Sequence, residues 1–181
     1  ASGKARATGL FRQLAEVEAA IHQRSVQEIH FHEDGALDSI VDVIGVVFAL
    51  ERLGVDRIVS SPLNVGSGTV TCEHGELPVP APATTRLVEG VPIYSTGTKA
   101  ELLTPTGALL VTNYAHAYGP IPPMVVRQVG YGAGDRDLAG TPNVLRVLVG
   151  DETETGSFDR VVVIECEIDD MNPQIFGVLM D

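Results

Sequence analysis

The chain has 181 residues, 44% of them hydrophobic, and a formal net charge of −12 from 24 acidic and 12 basic residues. That supplies enough apolar side chain for one packed domain and too little length for two comfortable ones. No run approaches the ~20 consecutive apolar residues of a membrane-spanning helix, and the acidity speaks against a nucleic-acid partner, which is held by Lys and Arg neutralising phosphates.

In chain order, Leu10, Leu14, Val17 and Ile21 recur at helical spacing and predict a first helix over residues 5–21. Residues 26–33 alternate, with Ile29 and Phe31 on one side and Glu28, His30 and His32 on the other, which is the period of a half-buried strand. After a turn at Asp34-Gly35, residues 38–53 read as a mostly apolar helix closed by Gly54. Strands are expected at 56–61, 68–74 and 77–79, with Gly66-Ser67 and His74-Gly75 as turns, giving a hairpin or meander. Pro80 to Thr84 opens a short helix reaching Glu89, and residues 91–95 read as a strand. A further helix runs from Thr104-Pro105-Thr106 to Tyr114, followed by strands at 125–131, 143–149 and 160–168. Hairpins interspersed with helices predict an α+β fold, a mixed sheet with packed helices in a single domain.

The first twenty residues lack the apolar stretch and cleavage site of a secretory signal. Cys72 and Cys166 are too few for a disulfide framework, so a reducing, cytoplasmic compartment is expected. Both ends read as cut. The chain opens without Met, and Asp169-Asp170-Met171-Asn172-Pro173 looks like the start of a helix that stops at Asp181. The expected division is a central domain over 1–167 and the beginning of a truncated C-terminal domain over 168–181.

Metal chemistry is suggested by two pairs, His30 with His32 and Cys72 with His74, each separated by one residue. On a strand that spacing puts both side chains on one face, roughly 6–7 Å apart at Cα, within reach of one ion. Imidazole and thiolate suit zinc, nickel, copper or iron rather than magnesium or calcium; the plainer alternative for either pair is a solvated strand face. Asp38 and Asp42 share a helical face with Gly45 and Ala49, so acid groups sit where a strand or ligand can approach closely. The plainer alternative makes Asp38 a cap and pairs Asp42 with an Arg or an amide. Glu33 can be a ligand, a hydrogen-bond partner to an imidazole, or a turn residue.

The stretch from Gly130 to Gly134 looks like a phosphate-binding loop, but no convincing helix follows, which excludes a dinucleotide fingerprint. A bulge or tight turn is expected there, with anion binding by the amides of Gly132 and Gly134 as the alternative. Thr104 and Thr106 offer hydroxyls and amides at a helix start, either an anion site or an ordinary N-cap.

The segments His30-Phe31-His32-Glu33, Asp38-Ser39-Ile40-Val41-Asp42, Ser61-Pro62-Leu63-Asn64-Val65-Gly66, Cys72-Glu73-His74-Gly75, Pro78-Val79-Pro80-Ala81-Pro82-Ala83-Thr84, Leu103-Thr104-Pro105-Thr106-Gly107, Gly130-Tyr131-Gly132-Ala133-Gly134 and Glu167-Ile168-Asp169-Asp170-Met171 together resemble the LarC-type nickel-insertion proteins, in order and in spacing. The resemblance covers nearly all the chain from Val26 onward. It implies insertion of nickel into a pyridinium dithiocarboxylate mononucleotide, a lyase-type reaction that forms a carbon–nickel bond and consumes CTP with magnesium or manganese. It further implies His30, His32, Cys72 and His74 as metal ligands, with Glu33, Asp38 and Asp42 as ligands or bases; the candidate cofactor contacts remain those read from the residues themselves, Thr104, Thr106, Gly132 and Gly134. The CTP-associated part of the family begins near Ile168 and is almost entirely missing, so this chain is expected to be inactive alone; a homo-oligomer stays open. Two other classes compete: a non-catalytic metal-binding or scaffold domain, and a zinc-dependent hydrolase needing three protein ligands and an open position.

Overall fold

The computed structural model describes residues 2–29, 37–72, 75–138, 140, 142–153 and 160–165. Helix α1 (Gly3–His22) buries Ala7, Leu10, Leu14, Ala15 and Ala19, the stripe its sequence period requires. It ends where Gln23 turns left-handed (φ 52°).

The chain next departs from the alternating-strand expectation. Val26–Glu28 forms a single 3-10 turn rather than a strand. The Glu28 carboxylate accepts from the Ser25 amide (3.1 Å) and hydroxyl (2.7 Å), closing a capping box that satisfies amides an isolated strand would leave to water. The hydroxyl bond, then the amide bond, holds the Glu28 carboxyl below its ordinary pKa. His30, Phe31, His32 and Glu33, the rest of the expected strand, lie outside the described residues.

Helix α2 (Leu37–Leu53) turns Val43 and Val47 into the core and ends at Gly54 (φ 58°), whose amide donates to the Leu50 carbonyl. Strand β1 (Arg57–Ser60) then enters the sheet, followed by short strand β2 (Leu63–Asn64) and the antiparallel hairpin of β3 (Thr69–Cys72) and β4 (Gly75–Pro78). Helix α3 (Pro82–Leu87) leads to β5 (Ile93–Tyr94), which pairs parallel with β2. Helix α4 (Pro105–Tyr114) precedes β6 (Ala117–Tyr118), β7 (Met124–Ala133), β8 (Val144–Glu152) and β9 (Arg160–Glu165). The fold is α+β.

The main sheet has the order β6-β1-β9-β8-β7. Strand β1 runs parallel to β6 and β9, while β8 is antiparallel to β9 and to β7, so the sheet is mixed. Leu10, Leu14, Val43, Val47, Ile58, Leu63, Leu87, Ala108, Leu109 and Tyr114 form one core that joins the four helices to β1 and β2. His116 fastens α4 to β1 twice: its amide donates to the Ile58 carbonyl (2.8 Å) and its Nδ1 accepts from the Ile58 amide (3.2 Å). Arg57 and the buried Glu152 form an ion pair across the sheet.

The stretch from Gly130 to Ala133 is neither a tight turn nor a bulge. It belongs to β7, in regular register with Val147, Arg146, Leu145 and Val144, and the ladder's one irregularity lies earlier, between Val126 and Gln128. Ladder pairing along ten residues outweighs the turn preference of its glycines. The expected domain boundary at 167/168 lies outside the described residues.

Candidate functional site

Several of the segments singled out in the sequence have structural work of their own. Asn64 is buried, its Oδ1 accepts from the Gly66 amide (3.1 Å), and its Nδ2 donates to Thr96 Oγ1 (3.1 Å). Gly66 adopts φ 78°, and a Cβ there would stand 1.9 Å from the Ala100 carbonyl oxygen, so only glycine lets the two backbones approach. Ser95 Oγ donates to the Gly66 carbonyl (2.7 Å) and Ser67 Oγ to the Thr98 carbonyl (2.9 Å). The segment around Asn64 is thereby stitched to the one around Thr98.

The proline-rich segment meets the start of α4 in the same way. Pro82 occupies the first turn of α3, whose fixed φ suits a helix start. Thr84 is fully buried, with its hydroxyl 3.4 Å from the Leu103 carbonyl, one residue before the α4 cap. The motifs Pro-Ala-Pro-Ala-Thr and Leu-Thr-Pro-Thr-Gly therefore form one packed corner, a relation that their separation in sequence hides.

Thr104 is the N-cap of α4: its Oγ1 accepts from the Gly107 amide (3.2 Å). Thr106 is buried. Gly132 pairs with Leu145 inside the β7–β8 ladder, and the Gly134 amide donates to the Asn143 carbonyl (3.0 Å). A Cβ at Gly134 would meet Asn143 Nδ2 at 2.6 Å, whereas one at Gly132 would meet nothing within 4 Å. The Asn143 amide ends a flexible side chain that can yield, so packing among the described residues requires glycine at neither position.

Cys72 ends β3, is half-buried and carries a free thiol. It faces Gly75 across the hairpin, so the connection consists of Glu73 and His74, which lie outside the described residues. Asp42 is exposed on α2, and Asp38 falls in the first turn of the same helix. His30, His32, Glu33 and His74 are outside the description, so the convergence of the two pairs on one ion stands as an expectation. Among the described residues, no three His, Cys, Asp or Glu are grouped to hold a metal, and no helix is long and apolar enough to cross a membrane.

Two surface grooves lie elsewhere. One, about 470 Å³, runs between α1 and α4, where the Arg6 guanidinium lies 5.3 Å from the centre of the Tyr114 ring. The other, about 440 Å³, lies between α1 and α2, beside Phe11, Ile44 and Phe48. Neither contains a candidate residue named from sequence. Nor did the sequence distinguish which apolar residues of α2 face outward: Val41 (58% exposed), Ile44 (51%) and Phe48 (64%) do.

Comparison with known proteins bears on this arrangement directly. No solved structure matches the chain. It is 46% identical over 181 residues to a provisionally named nickel insertion protein of Geotalea daltonii, covering 100% of this chain and 46% of that one. A provisionally named nickel insertion protein of Citrifermentans bemidjiense is 49% identical over 178 residues, covering 98% of this chain and 46% of its own length. The pyridinium-3,5-bisthiocarboxylic acid mononucleotide nickel insertion protein of Geobacillus kaustophilus is 45% identical over 187 residues, with 98% and 46% covered. The chain thus spans about half the length of these curated relatives. The family model described as nickel insertion protein matches residues 1–181, from end to end, and the chain belongs to that family.

Proposed function

We propose that this chain forms the metal-receiving part of a protein that inserts nickel into pyridinium-3,5-bisthiocarboxylic acid mononucleotide, yielding a nickel-pincer nucleotide. The observation that carries this is the family match over the whole chain, together with the substrate in the name of a relative 45% identical to it. Nickel is here a substrate. His30 and His32, with Cys72 and His74, are its ligands, a borderline set suited to a first-row ion. The free, half-buried Cys72 thiol at a hairpin end supports that role, and a free thiol accords with a reducing cytoplasm.

Metallation of a ring carbon breaks a C–H bond: the electron pair goes to nickel and the proton must go to a base. Glu33, Asp38 and Asp42 are the carboxylates assigned to that task, and the exposure of Asp42 on α2 keeps it accessible to a substrate. For the nucleotide, Thr104 and Thr106 at the start of α4 and the Gly132–Gly134 stretch are the contact points. Thr104 Oγ1 accepts from Gly107 and retains its own proton to donate, while the open space at Gly132 admits a flat group against the backbone. The lyase-type classification and the use of CTP with magnesium or manganese belong to the same proposal.

The test is equilibrium binding of nickel to the chain and to a His30→Ala, His74→Ala double variant. Loss of one ligand from each pair should weaken binding by at least tenfold, roughly the lower end of effects seen even for outer-shell changes. Unchanged affinity would remove both pairs from the site.

A further inference from the structure

The groove between α1 and α4 gathers five polar side chains, Arg6, Gln13, Asn113, Tyr114 and His116. Its volume of about 470 Å³ falls within the roughly 300–1,000 Å³ of small-molecule sites. No acidic residue lines it, although acids outnumber bases 24 to 12 along the chain. The Arg6 guanidinium is steadied over the Tyr114 ring at 5.3 Å, and no carboxylate among the described residues pairs with it. His116 adds a donor: its Nδ1 accepts from the Ile58 amide, which leaves the ring proton on Nε2. Tyr114 is 7% exposed, and its hydroxyl has no hydrogen-bond partner among the described residues, an exception that calls for a partner. Asn113 Nδ2 donates to the Leu109 carbonyl (2.8 Å), which commits one amide hydrogen and leaves its Oδ1 as an acceptor. Gly9 lies on the same wall in the middle of α1, where glycine weakens a helix. A Cβ built there would meet none of the described residues within 4 Å, so their packing does not account for it.

These groups divide by chemistry. A guanidinium and an imidazole N–H suit a phosphate group, whereas amide carbonyls repel phosphate and accept from hydroxyls. Both kinds in one groove call for a phosphate monoester that carries hydroxyls. The helix ends set the sign of the local field. Ala5 and Arg6 belong to the first turn of α1, which contains no acid and carries the partial positive charge of a helix start. The closing carbonyls of α4 oppose an anion with roughly half a charge, and the full charge of Arg6 outweighs them.

We propose that the α1–α4 groove binds a sugar phosphate, with Arg6 and His116 on the phosphate and Gln13 and Asn113 on the hydroxyls. It lies at the far end of α4 from Thr104, and none of the nickel candidates lines it, so it stands or falls apart from the metal site.

Titration of the chain with ribose 5-phosphate in the absence of nickel, followed by nitrogen-15 NMR, tests this. The Arg6 Nε and the side-chain amides of Gln13 and Asn113 should shift together and saturate with a dissociation constant of about 1 mM or below. Inorganic phosphate and ribose should each bind roughly tenfold more weakly or worse, since each meets only half of the groove. Arg6→Gln and Gln13→Glu should each weaken ribose 5-phosphate by roughly tenfold or more, with circular dichroism unchanged. Arg86→Gln, which removes an exposed charge paired with Glu89, should leave it within about twofold of wild type, as exposed pairs are worth little. No saturable shift up to about 20 mM, well above the expected constant, would overturn the proposal. So would ribose or inorganic phosphate binding as tightly as ribose 5-phosphate, or an equal loss in Arg86→Gln, which would reduce the effect to net charge.

Discussion

Replacing Gly66 by Ala should be among the most damaging single-methyl additions to this fold. Two costs combine. Its φ of 78° is left-handed, which costs an L-residue about 1–2 kcal/mol. The new Cβ would also stand 1.9 Å from the Ala100 carbonyl oxygen and 3.2 Å from Leu102 Cγ. Relief requires more than an ångström of backbone shift where the Ala100 carbonyl receives the Ser67 amide (3.3 Å) and buried Asn64 holds the turn at Gly66. Overpacking of this kind typically costs about 1–3 kcal/mol, so the sum is about 2–5 kcal/mol.

Two other glycines separate the contributions. Gly75 has φ 96° but no atom of the described residues within 4 Å of a built Cβ, so Gly75→Ala should cost only the conformational part, about 1–2 kcal/mol. Gly45 is helical, and a Cβ there would meet none of the described residues within 4 Å, so Gly45→Ala should stabilise the folded chain by about 0.5–1 kcal/mol. Urea unfolding followed by circular dichroism measures all three. The reasoning fails if Gly66→Ala costs no more than Gly75→Ala, for then the close approach to Ala100 contributes nothing.

Thr104→Ala should lower stability by about 0.5–2 kcal/mol, as loss of an N-cap does, while Thr104→Ser retains the acceptor for the Gly107 amide and should stay near wild type in the same unfolding assay. The Glu28 carboxyl, held below its ordinary 4.5 by Ser25, contributes stability to its turn that is present above the unfolded value and lost as pH falls through the folded one. An NMR titration should show Glu28 with a midpoint below 4.5 that moves back toward it in Ser25→Ala; an unmoved midpoint would deny the hydroxyl its leading role.

Those features whose causes are local were legible in the sequence. Helix α4 was readable from its start at Thr104-Pro105-Thr106, and the β3–β4 hairpin from the turn signal at His74-Gly75. The turn at Val26–Glu28 was missed although Ser25-x-x-Glu28 spells its capping box, because the alternation running through Ile29 and Phe31 suggested a longer strand. Gly130 and Gly132 suggested a turn because glycine does so on average; only partners on β8 make them a ladder. Outward exposure of Val41 and Phe48 could not be read from a helix that is apolar nearly all round. Of the site, the Thr104 cap and the strand position of Cys72 were readable. The corner joining Thr84 to Leu103 was not, since neither segment carries a signal naming the other.

Strand β1 has consequences for how the molecule is made. Its neighbours on either side are β6 and β9, and Arg57 meets Val161, which emerges from a ribosome 104 residues later (161 − 57). At synthesis rates of about 5–20 residues per second, that edge waits roughly 5–20 s for its partner. During that interval nascent β1 is an open template for other chains, and the early burial of Ile58 against α1, α2 and α4 shelters one of its faces until the sheet can close.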